Sequence, residues 1–188
     1  MGNFKSYSQI KNLEINYGVS YSVSAEDRIV GKEKLLKDHP DIYEEVINTD
    51  SQVSKIDFRL KYDGKNAIMY GNEPKEENLI NVFNDFAGKD TLFSNLVNNE
   101  ILIYKHDYWG VNLLINYNYW KYNWEITNET KLIDNIICYK AVMFYQTEDA
   151  KNEYKFKVTA WYNPQINVSI GPKGYGGLPG LIYELDDG

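Results

Sequence analysis

Hydrophobic and polar residues alternate over long stretches of the chain, with the period of two that is typical of β-strands. In "LEINYGVSYSV" (13–23), the apolar residues fall on one face and the polar residues on the other. A strand with one solvent-exposed face and one buried face is typical of an antiparallel sheet. The alternation recurs in three further segments, "IDFRLKY" (56–62), "VNLLINYNY" (111–119) and "YKFKVTAWY" (154–162). We therefore predict a large, curved antiparallel β-sheet of about nine strands.

The segment "IICYKAVMFY" (136–145) departs from this alternation, because it is apolar on both faces except at Lys140. A strand that is buried on both faces belongs in the interior of a sheet. We expect this strand to lie in mid-sheet, with helices covering it.

Two segments show helical spacing instead. "EPKEENLINVFNDFAG" (73–88) has Pro74 in its first turn, apolar residues three and four apart, and Gly88 at the expected C-terminal cap. "HPDIYEEVIN" (39–48) predicts a shorter helix. Two or three inserted helices packed on one face of the sheet make an α+β fold, and the length fits a single domain over residues 1–188.

Composition narrows the possible partners. The net charge is −7, which repels the phosphate backbone, so we expect no nucleic-acid partner. No apolar run approaches the length that spans a bilayer, so we expect a chain that is not membrane-spanning. The single cysteine, Cys138, excludes a disulfide within the chain.

The segment "GPKGYGGLPGLIYEL" (171–185) combines glycines and prolines with an apolar end. It lacks the Lys-Ser/Thr of a phosphate-binding P-loop and the third glycine of a dinucleotide fingerprint. Two interpretations stay open, a specialised connection between strands and a binding loop. The candidate binding residues of this loop are Gly171, Pro172, Tyr175, Gly176, Gly177, Leu178, Pro179 and Gly180.

Aromatic residues are the second candidate site, since they make up 15% of the chain and crowd between residues 104 and 124. Alternate members of this group can pack in the core, and the others can form an exposed contact surface. The candidate surface residues are Tyr108, Trp109, Trp120, Trp124 and Trp161.

Groups suited to catalysis are sparse. His39 and His106 are the only histidines, and a nucleophilic triad of Cys138, His106 and Asp107 has no support in the spacing. We predict no catalytic residues, no metal site and no cofactor. A hydrolase is kept only as a third alternative.

Two segments carry a resemblance to a known family. "TNETKLIDNIICYKAVMFY" (127–145) and "TAWYNPQINVSIGPKGYGGLPGLIYEL" (159–185) resemble the hallmark region of the GLPGLI family, which takes its name from the hexapeptide at 177–182. This resemblance implies an exported protein of a Gram-negative envelope, in the periplasm or associated with the outer membrane, from a family without an assigned activity. Its members are often encoded beside TonB-dependent outer-membrane receptors. The expected fold also resembles periplasmic lipoprotein carriers.

Family members usually continue past the hexapeptide, so we expect one of two situations: either the chain is a fragment that lacks C-terminal strands of the full domain, or its last strand is completed by a partner or a second copy. The strand Leu181–Leu185 is then an edge strand open to an envelope protein partner or a second copy. Our leading expectation is a non-enzymatic binder of an apolar ligand or an extended peptide. The alternative is an interaction module associated with a TonB-dependent receptor, acting by strand addition.

Overall fold

The computed structural model describes residues 10–20, 25–86, 88–118, 122–148 and 153–187. Its helices are α1 (Ala25–Asp38), α2 (Tyr43–Gln52) and α3 (Glu77–Asp85), with one-turn helices at Val53–Lys55 and Pro172–Gly174. Its strands are β1 (Leu13–Gly18), β2 (Asp57–Tyr62), β3 (Asn66–Gly71), β4 (Thr91–Asn95), β5 (Glu100–Tyr108), β6 (Val111–Asn118), β7 (Glu125–Ile133), β8 (Ile136–Glu148), β9 (Glu153–Asn163) and β10 (Leu181–Asp186).

The strands form two antiparallel sheets. The first has the order β1-β2-β3-β4-β5-β6 and the second has the order β10-β9-β8-β7. The α+β class is confirmed, and the strands divide between two sheets where one was expected. Alternation along a strand reports which face is buried but says nothing about which strands pair, so the sequence pattern could not reveal this division.

The first sheet packs its inner face against α3. Phe58 on β2 and Phe83 on α3 stack with their ring centroids 5.9 Å apart, and both are buried. The predicted cap is also present, since the Gly88 N–H donates to the Phe83 carbonyl at 2.8 Å. The helical prediction for 73–88 is therefore confirmed, and so is the helix predicted within 39–48, which begins at Tyr43.

Helix α1 was not predicted from the sequence. Its residues Ile29, Val30 and Leu36 are exposed, so the helix lacks the buried apolar stripe on which the prediction of a helix depends. Gly31 within it also lowers its helical propensity.

Strand β8 lies in the interior of the second sheet, between β7 and β9, as predicted. The prediction that helices cover this strand is wrong at Ala141. Ala141 on β8 and Ala160 on β9 are directly opposite each other and fully buried, and Leu178 of the Gly-rich segment packs with them. A large side chain from a loop therefore fills the space above two small ones.

One segment contributes to the cores of both sheets. Val168, Ile170 and Leu181 belong to the core cluster of the first sheet. Leu178 and Ile182 belong to the core cluster of the second. The connection between β9 and β10 and the first two residues of β10 therefore hold the two sheets together.

Gly180 tests this arrangement, because a Cβ there would collide with the Asn163 carbonyl oxygen and stand 2.8 Å from Pro164 Cα. Backbone atoms cannot rotate away, so we expect Gly180→Ala to lower the free energy of unfolding by about 3 kcal/mol. Gly18→Ala is the control, since nothing lies within 4 Å of a Cβ at Gly18, and its effect should stay within about 0.5 kcal/mol. Urea denaturation followed by circular dichroism gives both values. Equal stability of the two variants would contradict the buried connection.

Candidate functional site

The Gly-rich loop is largely interior. Of its candidate binding residues, Gly177 and Pro179 are exposed and Tyr175 is half-buried. The remaining five are buried, namely Gly171, Pro172, Gly176, Leu178 and Gly180. The structure thus supports the first interpretation, a specialised connection between strands, and a binding role for this loop stays a prediction.

Backbone hydrogen bonds fix the course of the loop. Ile170 pairs with Gly176 in an antiparallel bridge, and the Tyr175 N–H donates to the Pro172 carbonyl at 3.0 Å. At Gly177 the backbone has φ = 83°, a conformation that residues with a Cβ rarely adopt, and its N–H donates to Ser169 Oγ at 2.8 Å. The turn needs glycine at this point for conformational reasons.

Three aromatic side chains hold the turn from one side. The Trp124 indole Nε1–H donates to the Gly176 carbonyl at 2.8 Å, and the Tyr122 hydroxyl donates to the Gly174 carbonyl at 3.3 Å. Tyr122 and Tyr175 stack with ring centroids 5.1 Å apart. Trp124, a predicted contact residue, and Tyr175, a predicted residue of the binding loop, therefore make contacts within the protein.

The cavity beside this turn is small. It has a volume of about 10 Å³ and lies between Leu60, Met69, Leu92 and Gly174. That volume holds about one water molecule, so the interior offers no room for an acyl chain or a peptide at this point.

Trp161 lies on the outer face of the second sheet. The Lys131 ammonium is 4.5 Å from the centre of its ring and the Lys140 ammonium is 5.8 Å away. Both lysines also form ion pairs, with Glu184 and Glu129 respectively. This predicted contact residue is thus part of a charged surface on the four-stranded sheet, separate from the Gly-rich turn.

Tyr108 and Trp109 lie at the tip of the β5–β6 hairpin. Trp109 has φ = 55° and is 89% exposed, which makes it the most exposed large hydrophobic residue among the described residues. The Tyr108 ring lies 5.6 Å from the Lys105 ammonium. Trp120, the remaining predicted contact residue, lies outside the described residues.

Strand β6 follows this tip and forms one edge of the six-stranded sheet. Its sequence, "VNLLINYN", contains no charged residue and no proline. The irregularity in its pairing with β5 places the extra residue in β5, so β6 itself is not bulged. Leu114, in the middle of the strand, is 68% exposed. An edge of this composition is open to pairing with another strand.

The other three edges of the described sheets carry the protections that β6 lacks. Charge protects β1, where Glu14 pairs with Arg59 at 3.3 Å. An irregular register between residues 126 and 130, together with charges at Glu129 and Lys131, protects β7. Charged residues and bulges are the common ways in which proteins block pairing at an edge.

Strand β10 was predicted to be an edge strand, and it is one. Its first two residues are already bonded within the chain, since the Leu181 N–H donates to the Ile166 carbonyl and the Ile182 N–H donates to the Ile170 carbonyl. The register then shifts between Ile182 and Glu184. Pairing of Leu181–Leu185 with a partner or a second copy is thus restricted to the end of the strand.

The sequence analysis did not identify β6 as a candidate binding edge, although its lack of charge is visible in the sequence.

The groups considered for catalysis are not brought together. Cys138 is fully buried on β8 of one sheet, and His106 is exposed on β5 of the other. Burial raises the pKa of the Cys138 thiol, which opposes formation of a nucleophilic thiolate. Among the described residues, there is no group of three His, Cys, Asp or Glu side chains that could hold a metal ion.

An open groove of about 450 Å³ lies across one end of the first sheet. Leu13, Tyr62, Ile68 and Phe93 contribute apolar surface to it. Charged residues at its rim include Glu14, Lys61 and Asp63.

Of the helices that the structure describes, none combines the length and the apolar character that a membrane crossing requires.

Comparison with known proteins gives one family match. The family, described as "Protein of unknown function (Porph_ging)", matches residues 145–184, about a fifth of the chain. This segment comprises the end of β8, all of β9, the Gly-rich turn and the start of β10. No curated protein matches the chain. No solved structure matches it either. The resemblance to the GLPGLI family stays a prediction.

Tyr17 joins the two sheets, because its hydroxyl on β1 donates to the Ile182 carbonyl on β10 at 2.6 Å. Burial raises the pKa of Tyr17 above the ordinary value near 10, and repulsion from Tyr183 raises it further. The folded state therefore holds this proton more tightly than the unfolded state. The stability linked to it is complete below pH 10 and is lost as the pH rises above 10.

We expect Tyr17→Phe to cost about 1 kcal/mol at pH 7, because it removes a hydrogen bond. Above pH 10 the variant should lose stability less steeply than the unmodified protein. Burial also raises the pKa of Tyr175 to about 12, and that contribution is common to both proteins. Urea denaturation at several pH values between 7 and 11 measures the two slopes. Identical slopes would show that the Tyr17 proton is not linked to folding.

Proposed function

We propose that this protein is a non-enzymatic interaction protein of the cell envelope, and that it binds an extended peptide as a strand added to β6. The proposal rests on a difference between β6 and the other three edge strands of the two described sheets. Those three are protected by charge or by an irregular register, whereas β6 carries no charge and no bulge. Strand addition uses the unpaired N–H and C=O groups of such an edge.

The side chains of β6 indicate which peptide would fit. On the outer face, Leu114 lies between the exposed Asn112 and Asn116. On the inner face, Leu113 and Ile115 are half-buried. An added strand places its alternate side chains beside these two sets. The favoured peptide therefore carries apolar residues towards the inner face and an apolar residue beside Leu114, with no charge in its centre.

The aromatic hairpin tip extends this surface. Trp109 lies in the turn between β5 and β6, and its exposed ring is available to the end of a peptide that lies along the strand. Tryptophan and tyrosine offer large contact areas at low cost in conformational entropy. This places Tyr108 and Trp109, two of the sequence-predicted contact residues, beside the proposed binding edge.

The groove on the first sheet supports a second candidate function, the binding of an apolar small molecule. Its volume lies within the range of small-molecule sites, and it contains Ile68 and Phe93. Its open form and its charged rim suit an apolar ligand less well than an enclosed cavity would. The peptide therefore remains the main proposal.

Location in the envelope rests on the resemblance of residues 127–145 and 159–185 to the GLPGLI family. The TonB-dependent receptors that are encoded near members of that family supply one class of partner whose extended segments could reach β6.

Selection of random peptides displayed on phage tests strand addition directly. We expect the selected peptides to alternate apolar and polar residues and to bind with an affinity that falls at least about tenfold in Leu114→Lys, since a lysine there presents a charge to the added strand. Leu114 is 68% exposed, so this substitution does not disturb the core. Fluorescence anisotropy with the labelled peptide measures the affinity.

The matched control is Ile126→Lys, which places the same charge on an exposed apolar residue of the β7 edge. It should leave peptide affinity unchanged. Backbone nitrogens of the peptide can be methylated in two alternate sets. Methylation of the set that points towards β6 should abolish binding, and methylation of the set that points away should not, because an added strand forms hydrogen bonds along one of its edges only. Selected peptides that bind Leu114→Lys as well as the unmodified protein would refute the proposal.

A further inference from the structure

We propose that β6, when no peptide occupies it, pairs with β6 of a second copy of this chain, antiparallel about a twofold axis at Leu114. This inference rests on the proposed function, since both require β6 to accept a strand. It adds the identity of one partner and the register of the pairing. An isologous contact of this kind requires that one surface match itself.

The sequence of β6 meets that requirement in one register. With Leu114 opposite Leu114 of the second copy, Asn112 is opposite Asn116 and Leu113 is opposite Ile115. Each pair joins residues of like chemistry. When the axis moves to Leu113 or to Ile115, an asparagine falls opposite Leu114. An axis between two residues would join the outer face of one sheet to the inner face of the other.

The two asparagines are complementary in their hydrogen bonding. The Asn112 Oδ1 accepts a bond from the Asp107 N–H at 3.0 Å, which leaves its Nδ2 hydrogens as donors. The Asn116 Nδ2 donates to Glu100 Oε1 at 2.8 Å, which leaves its Oδ1 as an acceptor. In the proposed register, Asn112 of each copy can donate to Asn116 of the other. The bonds within each copy thus orient both amides for this exchange.

The strand at the contact carries no charge. Each copy has a net charge of −7, but β6 contributes none of it. The twofold axis brings the exposed side chain of Leu114 against its equivalent and removes both from water. The two six-stranded sheets then continue as one sheet across the axis.

Charge exchange at position 114 tests this register. Because the residue faces its own copy, Leu114→Lys and Leu114→Glu each place like charges opposite each other, and each should be monomeric. An equimolar mixture places opposite charges together and should restore the dimer. Sedimentation velocity should give twice the 21.9 kDa chain mass for the unmodified protein, the chain mass for each variant, and twice that mass for the mixture.

Ile126→Lys is again the control and should remain dimeric. A dimer that persists in both position-114 variants, or a mixture that stays monomeric, would overturn the inference. An unmodified protein that is monomeric at every concentration, yet binds selected peptides in a way that depends on Leu114, would also overturn it while leaving the proposed function intact. If the unmodified protein neither dimerises nor binds peptides through β6, both the proposed function and the dimer are refuted.

Discussion

The connection between β9 and β10, together with the first residues of β10, packs against both sheets, and the rest of the structure depends on this packing. Leu178 and Ile182 fill the space over Ala141 and Ala160 in the second sheet. Leu181, one residue before Ile182, packs in the core of the first sheet. Adjacent residues of a strand point to opposite faces, so a strand between two sheets can contribute to both cores. The close contact of Gly180 with the backbone at Asn163 sets how near the strands approach.

This connection also determines which surfaces remain available. It occupies the first N–H groups of β10, it engages the indole of Trp124, and it leaves a cavity of about 10 Å³ beside it. The interior beside this connection is therefore filled by the protein's own side chains. The hairpin at the other edge of the first sheet makes no comparable contact in the part of the chain that is described, and there Trp109 and Leu114 are exposed. Function in this account belongs to an edge rather than to an interior pocket.

Much of the fold was readable from the sequence, because period-two alternation and the cap at Gly88 are local signals. The interior position of β8 was also readable from its two apolar faces. Division into two sheets was not, since pairing depends on contacts distant in sequence. The glycine-rich segment was recognised as special backbone, but its burial depends on packing against Ala141 and Ala160, which lie on two other strands. The absence of charge in β6 was visible in the sequence, but it indicates an unprotected edge only once β6 is known to be an edge strand.

Amide hydrogen exchange, followed by NMR at low protein concentration, tests the central claim most directly. The account predicts slow exchange for the Leu181 and Ile182 amides, which donate to the Ile166 and Ile170 carbonyls, at rates like those of β8 and β9. It predicts fast exchange for alternate amides of β6, whose N–H groups point away from β5. Fast exchange at Leu181 and Ile182, with uniform protection along β6, would contradict a closed connection and an open edge.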